Sequence, residues 1–237
     1  MITRSVTNYQ EIDFVAGQTI LVDKPLDLTS FDVIYRLRRF LHIKKIGHAG
    51  TLDPKATGLL IVCTGKSTKK IDSYMGLPKE YTGTMMLGEQ TPSMDRETEV
   101  HISSDTSHVT PELLKKAVEE LTGEIEQIPP MYSAVAKNGT RLYSLARQGK
   151  TIEREPRKVV VEQFEITGYS HPVISFRVVC SKGTYIRVLA HDLGEKLGCG
   201  AHLSSLRRTA IGDFRVEDAL TIQEFGDHIK NLVRTET

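Results

Sequence analysis

Hydrophobic and polar positions along this 237-residue chain alternate between two rhythms, and each rhythm predicts its own elements. An apolar stretch from Gln18 to Val22 reads as a strand, and Leu59-Leu60-Ile61-Val62-Cys63 reads as a second strand apolar enough to be buried on both faces. Between them, Thr29 or Ser30 caps a helix whose apolar residues Phe31, Ile34, Leu37 and Leu41 fall at helical spacing, with Arg36 and Arg39 off that stripe. Thr110-Pro111-Glu112 opens another helix with proline at its first position; Leu113, Leu114, Ala117, Val118 and Leu121 form its inner face. Val159 to Ile166 and Val173 to Cys180 form a strand pair turning around Gly168 to Pro172. Thr184 to Leu197 is a helix stopped by Gly198, and Val216 to Phe225 is one short helix. With no regular βαβ rhythm, the fold class is α+β: a mixed, mostly antiparallel central sheet flanked by helices.

Composition narrows the picture. A hydrophobic content of 39% supports a sizeable core without staples. Cys63, Cys180 and Cys199 are too few and too scattered for a disulfide framework and form no CxxC pair, which fits a cytoplasmic protein. Met1 to Gln18 is a polar extension without the apolar core of a signal peptide, and no stretch is long enough to span a bilayer. The net charge of +1 gives no support to a nucleic-acid partner, but its distribution does. Arg36, Arg38, Arg39, Lys44 and Lys45 lead into a glycine-rich loop, and Lys66, Lys69 and Lys70 follow the strand behind it. Arg141, Arg147, Lys150, Arg154, Arg157 and Lys158 form a third cluster, whereas acidic residues gather between Asp95 and Glu126. The stretch from about 130 to 155 is a basic excursion from the sheet.

The candidate chemistry sits in that loop, Gly47-His48-Ala49-Gly50-Thr51-Leu52-Asp53-Pro54-Lys55-Ala56-Thr57-Gly58. Glycines admit unusual backbone geometry, and Pro54 restricts Asp53 toward extended conformations. Asp53 is therefore held in place, either as a turn residue bonding its own backbone or as a nucleophile or general base. Gly65-Lys66-Ser67 is not the end of a phosphate-binding loop, because the glycine required five residues earlier is Leu60. His42 and His48 lack the partners of a metal site.

The loop resembles the signature of the tRNA pseudouridine synthase B family, and further blocks of that family recur in order: Leu21-Val22-Asp23-Lys24-Pro25, Lys79-Glu80-Tyr81, Gln127 to Ala134, Ser181 to Arg187, Gly198 to Leu203 and Leu206-Arg207-Arg208. The resemblance implies a catalytic domain over residues 19–212 and an isomerase that turns uridine into pseudouridine at position 55, in the T loop of tRNA. It makes Asp53 the nucleophile and Tyr81 the platform for the flipped base. Tyr185 and Leu206 line the uracil, Arg187 partners the nucleophile, His48 meets the flipped nucleotide or its neighbours, and Lys24 supports the pocket or meets a phosphate. The basic excursion helps grip the RNA, and no cofactor or metal is needed. Residues 213–237 are a tail too short for the appended RNA-binding module of many members. The expected assembly is a monomer bound to tRNA, with no membrane and no obligate protein partner. Two other readings stand beside this one: a noncatalytic RNA-binding module, and a hydrolase that releases free uracil.

Overall fold

The computed structural model describes residues 1–133, 136–137 and 139–235. Among these described residues ten strands share the main sheet: β1 (Thr19–Lys24), β2 (Ile46–His48), β3 (Ala56–Thr64), β4 (Lys79–Leu87), β5 (Gly123–Gln127), β6 (Arg157–Ser170), β7 (Val173–Cys180), β8 (Ala201–Ile211), β9 (Phe214–Arg215) and β10 (Leu220–Thr221). Their hydrogen-bonded order is β10-β1-β3-β8-β4-β7-β6-β5, with β2 on β3 and β9 on β8. β10 runs parallel to β1, while β1 with β3, β2 with β3, β6 with β7, β6 with β5, and β8 with β9 are antiparallel. The helices are α1 (Ser30–Leu41), α2 (Ile71–Gly76), α3 (Pro111–Glu120), α4 (Leu142–Ala146), α5 (Ile186–Leu197) and α6 (Ile222–Thr235). The expected α+β class with a mixed, mostly antiparallel sheet is what the chain adopts.

Two compact units divide the chain within β4 and within β8: residues 1–81 with 207–237, and residues 82–206. In the first, β3 is the spine, because seven consecutive residues from Gly58 to Thr64 are buried, as an unbroken apolar run requires. One face carries Val22, Val33, Ile34, Leu37, Leu60, Val62, Leu220 and Phe225. The N-terminal stretch joins this core through Ile2, Tyr9 and Phe14, and Ile2 bridges to Ile20. In the second unit, β6 and β7 form the long hairpin expected around Gly168 to Pro172, and α5 buries Ile186, Leu189, Ala190, Leu193 and Leu197 before Gly198 ends it at φ 72°.

Two expectations need correction. Phe31 lies outside the buried stripe of α1 and is 63% exposed; Val33, Ile34 and Leu37 are the residues that face the core. The last helix starts at Ile222, not Val216: Val216–Asp218 make one short 3-10 turn, and Leu220 and Thr221 then pair with β1 as strand, which delays the α-helix. Asp95, the first acid of the acidic stretch, is 4% exposed and lies beside the guanidinium of Arg187. Part of the basic excursion, at 134, 135 and 138, lies outside the described residues. Around them are a short pairing of Ala136–Lys137 with Thr140–Arg141, and α4. Among the described residues no helix is long and apolar enough to cross a membrane.

Candidate active site

The Asp53 loop leaves β2, turns through Gly50 at φ 94°, and returns into β3 through Gly58 at φ 106°. Gly58 is required twice over. Its φ suits only glycine, and a Cβ there would lie 2.7 Å from the Arg208 backbone nitrogen on β8 and run into the Arg208 carbonyl. Between these points the main chain is fixed from two sides. The Ser30 hydroxyl accepts from Leu52 N at 2.9 Å and donates to Leu52 O at 3.1 Å, so the first turn of α1 grips the residue before Asp53. The buried Arg208 side chain donates to Leu59 O (2.7 Å), Gly50 O (3.1 Å) and Thr51 O (3.5 Å), on both sides of Asp53. Asp53 itself is half-buried, and its carbonyl accepts from Ala56 N at 3.0 Å, closing the turn over Pro54 and Lys55.

Lys24, at the end of β1, is 0% exposed. Its ammonium donates to Leu28 O (2.7 Å), Pro25 O (2.9 Å) and Pro54 O (3.5 Å), which uses its three N–H groups on carbonyls. Burial lowers its pKa to about 8; the negative charge of Asp53 works against that shift and Arg208 works with it. His48, on β2, is half-buried, and burial first, then Arg208, push its pKa down, so the imidazole is neutral near pH 7. Its Nδ1 is buried without a hydrogen-bond partner among the described residues. Next to Lys24, Asp23 receives both terminal nitrogens of Arg207 at 2.7 and 3.0 Å, a two-pronged pair that ties β8 to β1. Tyr81 lies on β4 and is 9% exposed.

The other three candidates belong to the second unit. Tyr185 caps α5, held by Gln127: its N–H donates to Oε1 at 2.9 Å, and its carbonyl accepts from Nε2 at 3.2 Å. Arg187, in the first turn of α5, is buried; it donates to Tyr132 O (2.8 Å) and Ser93 O (3.3 Å), and its Nε lies 3.8 Å from the Asp95 carboxylate. Leu206 is half-buried on β8. Lys24, His48, Asp53 and Tyr81 thus stand in one unit, and Tyr185, Arg187 and Leu206 in the other. Arg208, Asp23, Gln127 and Asp95 are supporting residues to which the sequence reading gave no role. The signal available for Arg208 was its place beside Leu206 and Arg207 in a recurring block. Among the described residues no cluster of three or more histidines, cysteines or acids forms a metal site.

A family model described as the N-terminal domain of TruB family pseudouridylate synthase matches residues 38–186. The chain belongs to that family. A second model, described as the tRNA pseudouridylate synthase B C-terminal domain, matches residues 187–236, so the last strand and helix fall within a family pattern. Among similar proteins, the tRNA pseudouridine synthase B of Flavobacterium johnsoniae is 49% identical over 225 residues, covering 92% of this chain and 98% of that one. That of Parabacteroides distasonis is 47% identical over 232 residues, covering 95% and 99%. Among solved structures, one of a Cbf5-Nop10-Gar1 complex matches with a TM-score of 0.75 and 30% identity over 97% of this chain, which spans 59% of that chain. Like its family, the chain is a pseudouridine-forming isomerase.

Proposed function

We propose that the chain converts uridine to pseudouridine at position 55 of the tRNA T loop, with Asp53 as nucleophile. The observation that carries this reading is the carboxylate of Asp53 on a loop whose main chain is clamped by Ser30 and Arg208, in the field of buried Lys24. Mere RNA binding has no use for a carboxylate held rigid in the path of an anionic ligand. The reaction is an isomerisation: the N1–C1′ bond breaks, the C5–C1′ bond forms, the C5 proton leaves to water and N1 gains one. Asp53 bonds transiently to the nucleotide so that the base can detach and turn, and it is released unchanged. Nothing is oxidised or consumed, so the proposal needs no cofactor.

A uridine stacked in the folded loop must leave its stack first, which costs about a few kcal/mol. Tyr81 supplies replacement stacking of about 1–3 kcal/mol. Tyr185 and Leu206 line the uracil, and Arg187 serves the nucleophile, following the family pattern. A neutral His48 offers hydrogen bonds to the flipped nucleotide or its neighbours without competing for phosphate. The complete burial of Lys24 and its carbonyl partners favour support of the pocket over contact with a phosphate. The basic excursion at 130–155 grips the RNA; within it Arg147 lies over the Tyr143 ring and 3.5 Å from Glu97. The protein acts as a cytoplasmic monomer on this reading.

The test is tritium release from tRNA labelled at C5 of uridine. Release is expected from the wild type on the intact T loop and not on a transcript with cytidine at the target. Asp53→Asn is expected to lower the rate at least about a thousandfold while tRNA affinity stays within about twofold. A large loss of affinity in that variant would make Asp53 a structural residue. Free uracil among the products would mean hydrolysis, and binding without release by the wild type would leave a binding module.

A further inference from the structure

The displacement of Phe31 from the core leaves an unusual surface. Phe31 is 63% and Tyr35 52% exposed, and with Arg39 they fall four residues apart, on one ridge of α1. The Arg39 guanidinium carbon lies 6.0 Å from the centre of the Tyr35 ring. Arg36 is exposed beside this ridge, and Lys44 and Lys45 are exposed in the loop that follows. The opposite side of the helix, Val33, Ile34 and Leu37, does the packing, so the ridge adds nothing to the core. The acid on this side, Asp32, is engaged by Thr29, whose N–H donates at 2.8 Å and whose hydroxyl donates at 2.6 Å to close the helix N-terminus. Two aromatic rings with cations around them are the chemistry of base stacking combined with phosphate contact.

The place of the ridge matters as much as its composition. Ser30, one residue before Phe31, is the side chain that grips Leu52 beside Asp53. The helix extends from that point for 12 residues, about 18 Å, several nucleotides' length. We infer that the outer ridge of α1 is a second contact for the substrate RNA, with an unpaired base against Phe31 and Tyr35 and its flanking phosphates on Arg36 and Arg39. The inference rests on the chain's acting on RNA as proposed above. A second copy of the chain is the wrong occupant, because a symmetric pairing of this face would set Arg36, Arg39, Lys44 and Lys45 against themselves.

The test uses the full chain with two double variants, Phe31→Ser with Tyr35→Ser and Arg36→Gln with Arg39→Gln, and a tRNA transcript in filter binding over a series of salt concentrations. All four side chains project from the folded surface, so the thermal melts of both variants should stay within about 2 °C of the wild type. The aromatic pair is expected to weaken binding about tenfold at an unchanged salt slope. The arginine pair is expected to weaken it several-fold and to reduce the slope of log K against log salt by about 1.5, the signature of two lost phosphate contacts. Unchanged affinity in both variants overturns the inference. So does unchanged affinity with a loss of self-association in sedimentation, which would give the face to a second copy. Tritium release from the wild type is measured in parallel: lost affinity in the variants with no release from the wild type would sink the catalytic reading and leave the RNA contact standing.

Discussion

Buried cations are handled differently in the two units. In the first, every hydrogen bond that Lys24 and Arg208 make among the described residues ends on a main-chain carbonyl. In the second, Arg187 has carbonyl partners too, but the Asp95 carboxylate lies 3.8 Å away, itself held by the Glu97 N–H at 2.9 Å. Carbonyl dipoles satisfy N–H groups without cancelling their charge, whereas a carboxylate does both. Lys24 and Arg208 thus keep a positive field inside the first unit, and Asp53 is an anion within its reach. The charge of Asp53 supports the Lys24 proton, and the attraction works both ways.

The sharpest way to break the contrast is Arg208→Met. It removes three charge-assisted bonds and leaves Leu59, Gly50 and Thr51 carbonyls without their donor, so a loss of about 4 kcal/mol and a fall in Tm of about 10 °C are expected in thermal unfolding. Asp95→Asn keeps shape but removes the charge beside Arg187; about 3 kcal/mol is expected by chemical denaturation, for a buried ion that loses its counterion. Lys24 sharpens the comparison through pH. Its folded pKa of about 8 lies below the ordinary 10.5, so between these values the unfolded chain binds a proton that the folded chain has released. The cost of its buried charge is full below pH 8 and is relieved as pH rises toward 10.5. The stability of the wild type relative to Lys24→Met should therefore climb over that window and be flat below it. A difference that fell with pH would contradict the burial argument. The smallest effect is expected at Thr29→Ala, which opens the cap of α1 at a cost of about 1 kcal/mol and a shift of about 3 °C in Tm.

Local pattern disclosed the elements whose reasons are local. The unbroken apolar run gave β3, the proline and its Thr110 cap gave α3, and the turn residues gave the β6–β7 hairpin. The Asp53 loop was visible because glycine and proline mark constrained backbone wherever they occur. What stayed hidden depended on distant partners. Nothing in Leu206-Arg207-Arg208 says that one arginine grips Asp23 from a half-buried position while the next is sealed among carbonyls 149 to 158 residues away in the chain. Asp95 reads as one more acid in an acidic stretch, and only the fold brings the side chain of Arg187 beside it. Phe31 fitted a helical period as well as Val33 did; only the position of the sheet decided which of them turned inward.

One residue of β8 holds the carbonyls of Gly50, Thr51 and Leu59 with its side chain and occupies, with its own backbone, the space a side chain on Gly58 would need. The segment carrying Asp53 is in effect a ring of ten residues riveted at both ends to a strand of the core. Such a ring has no melting point of its own: it cannot come loose without its rivet, and the rivet is part of the sheet. On heating, the loop should keep its geometry until the first unit gives way, so that the temperature at which turnover stops reports the collapse of that whole unit and not the fraying of a loop.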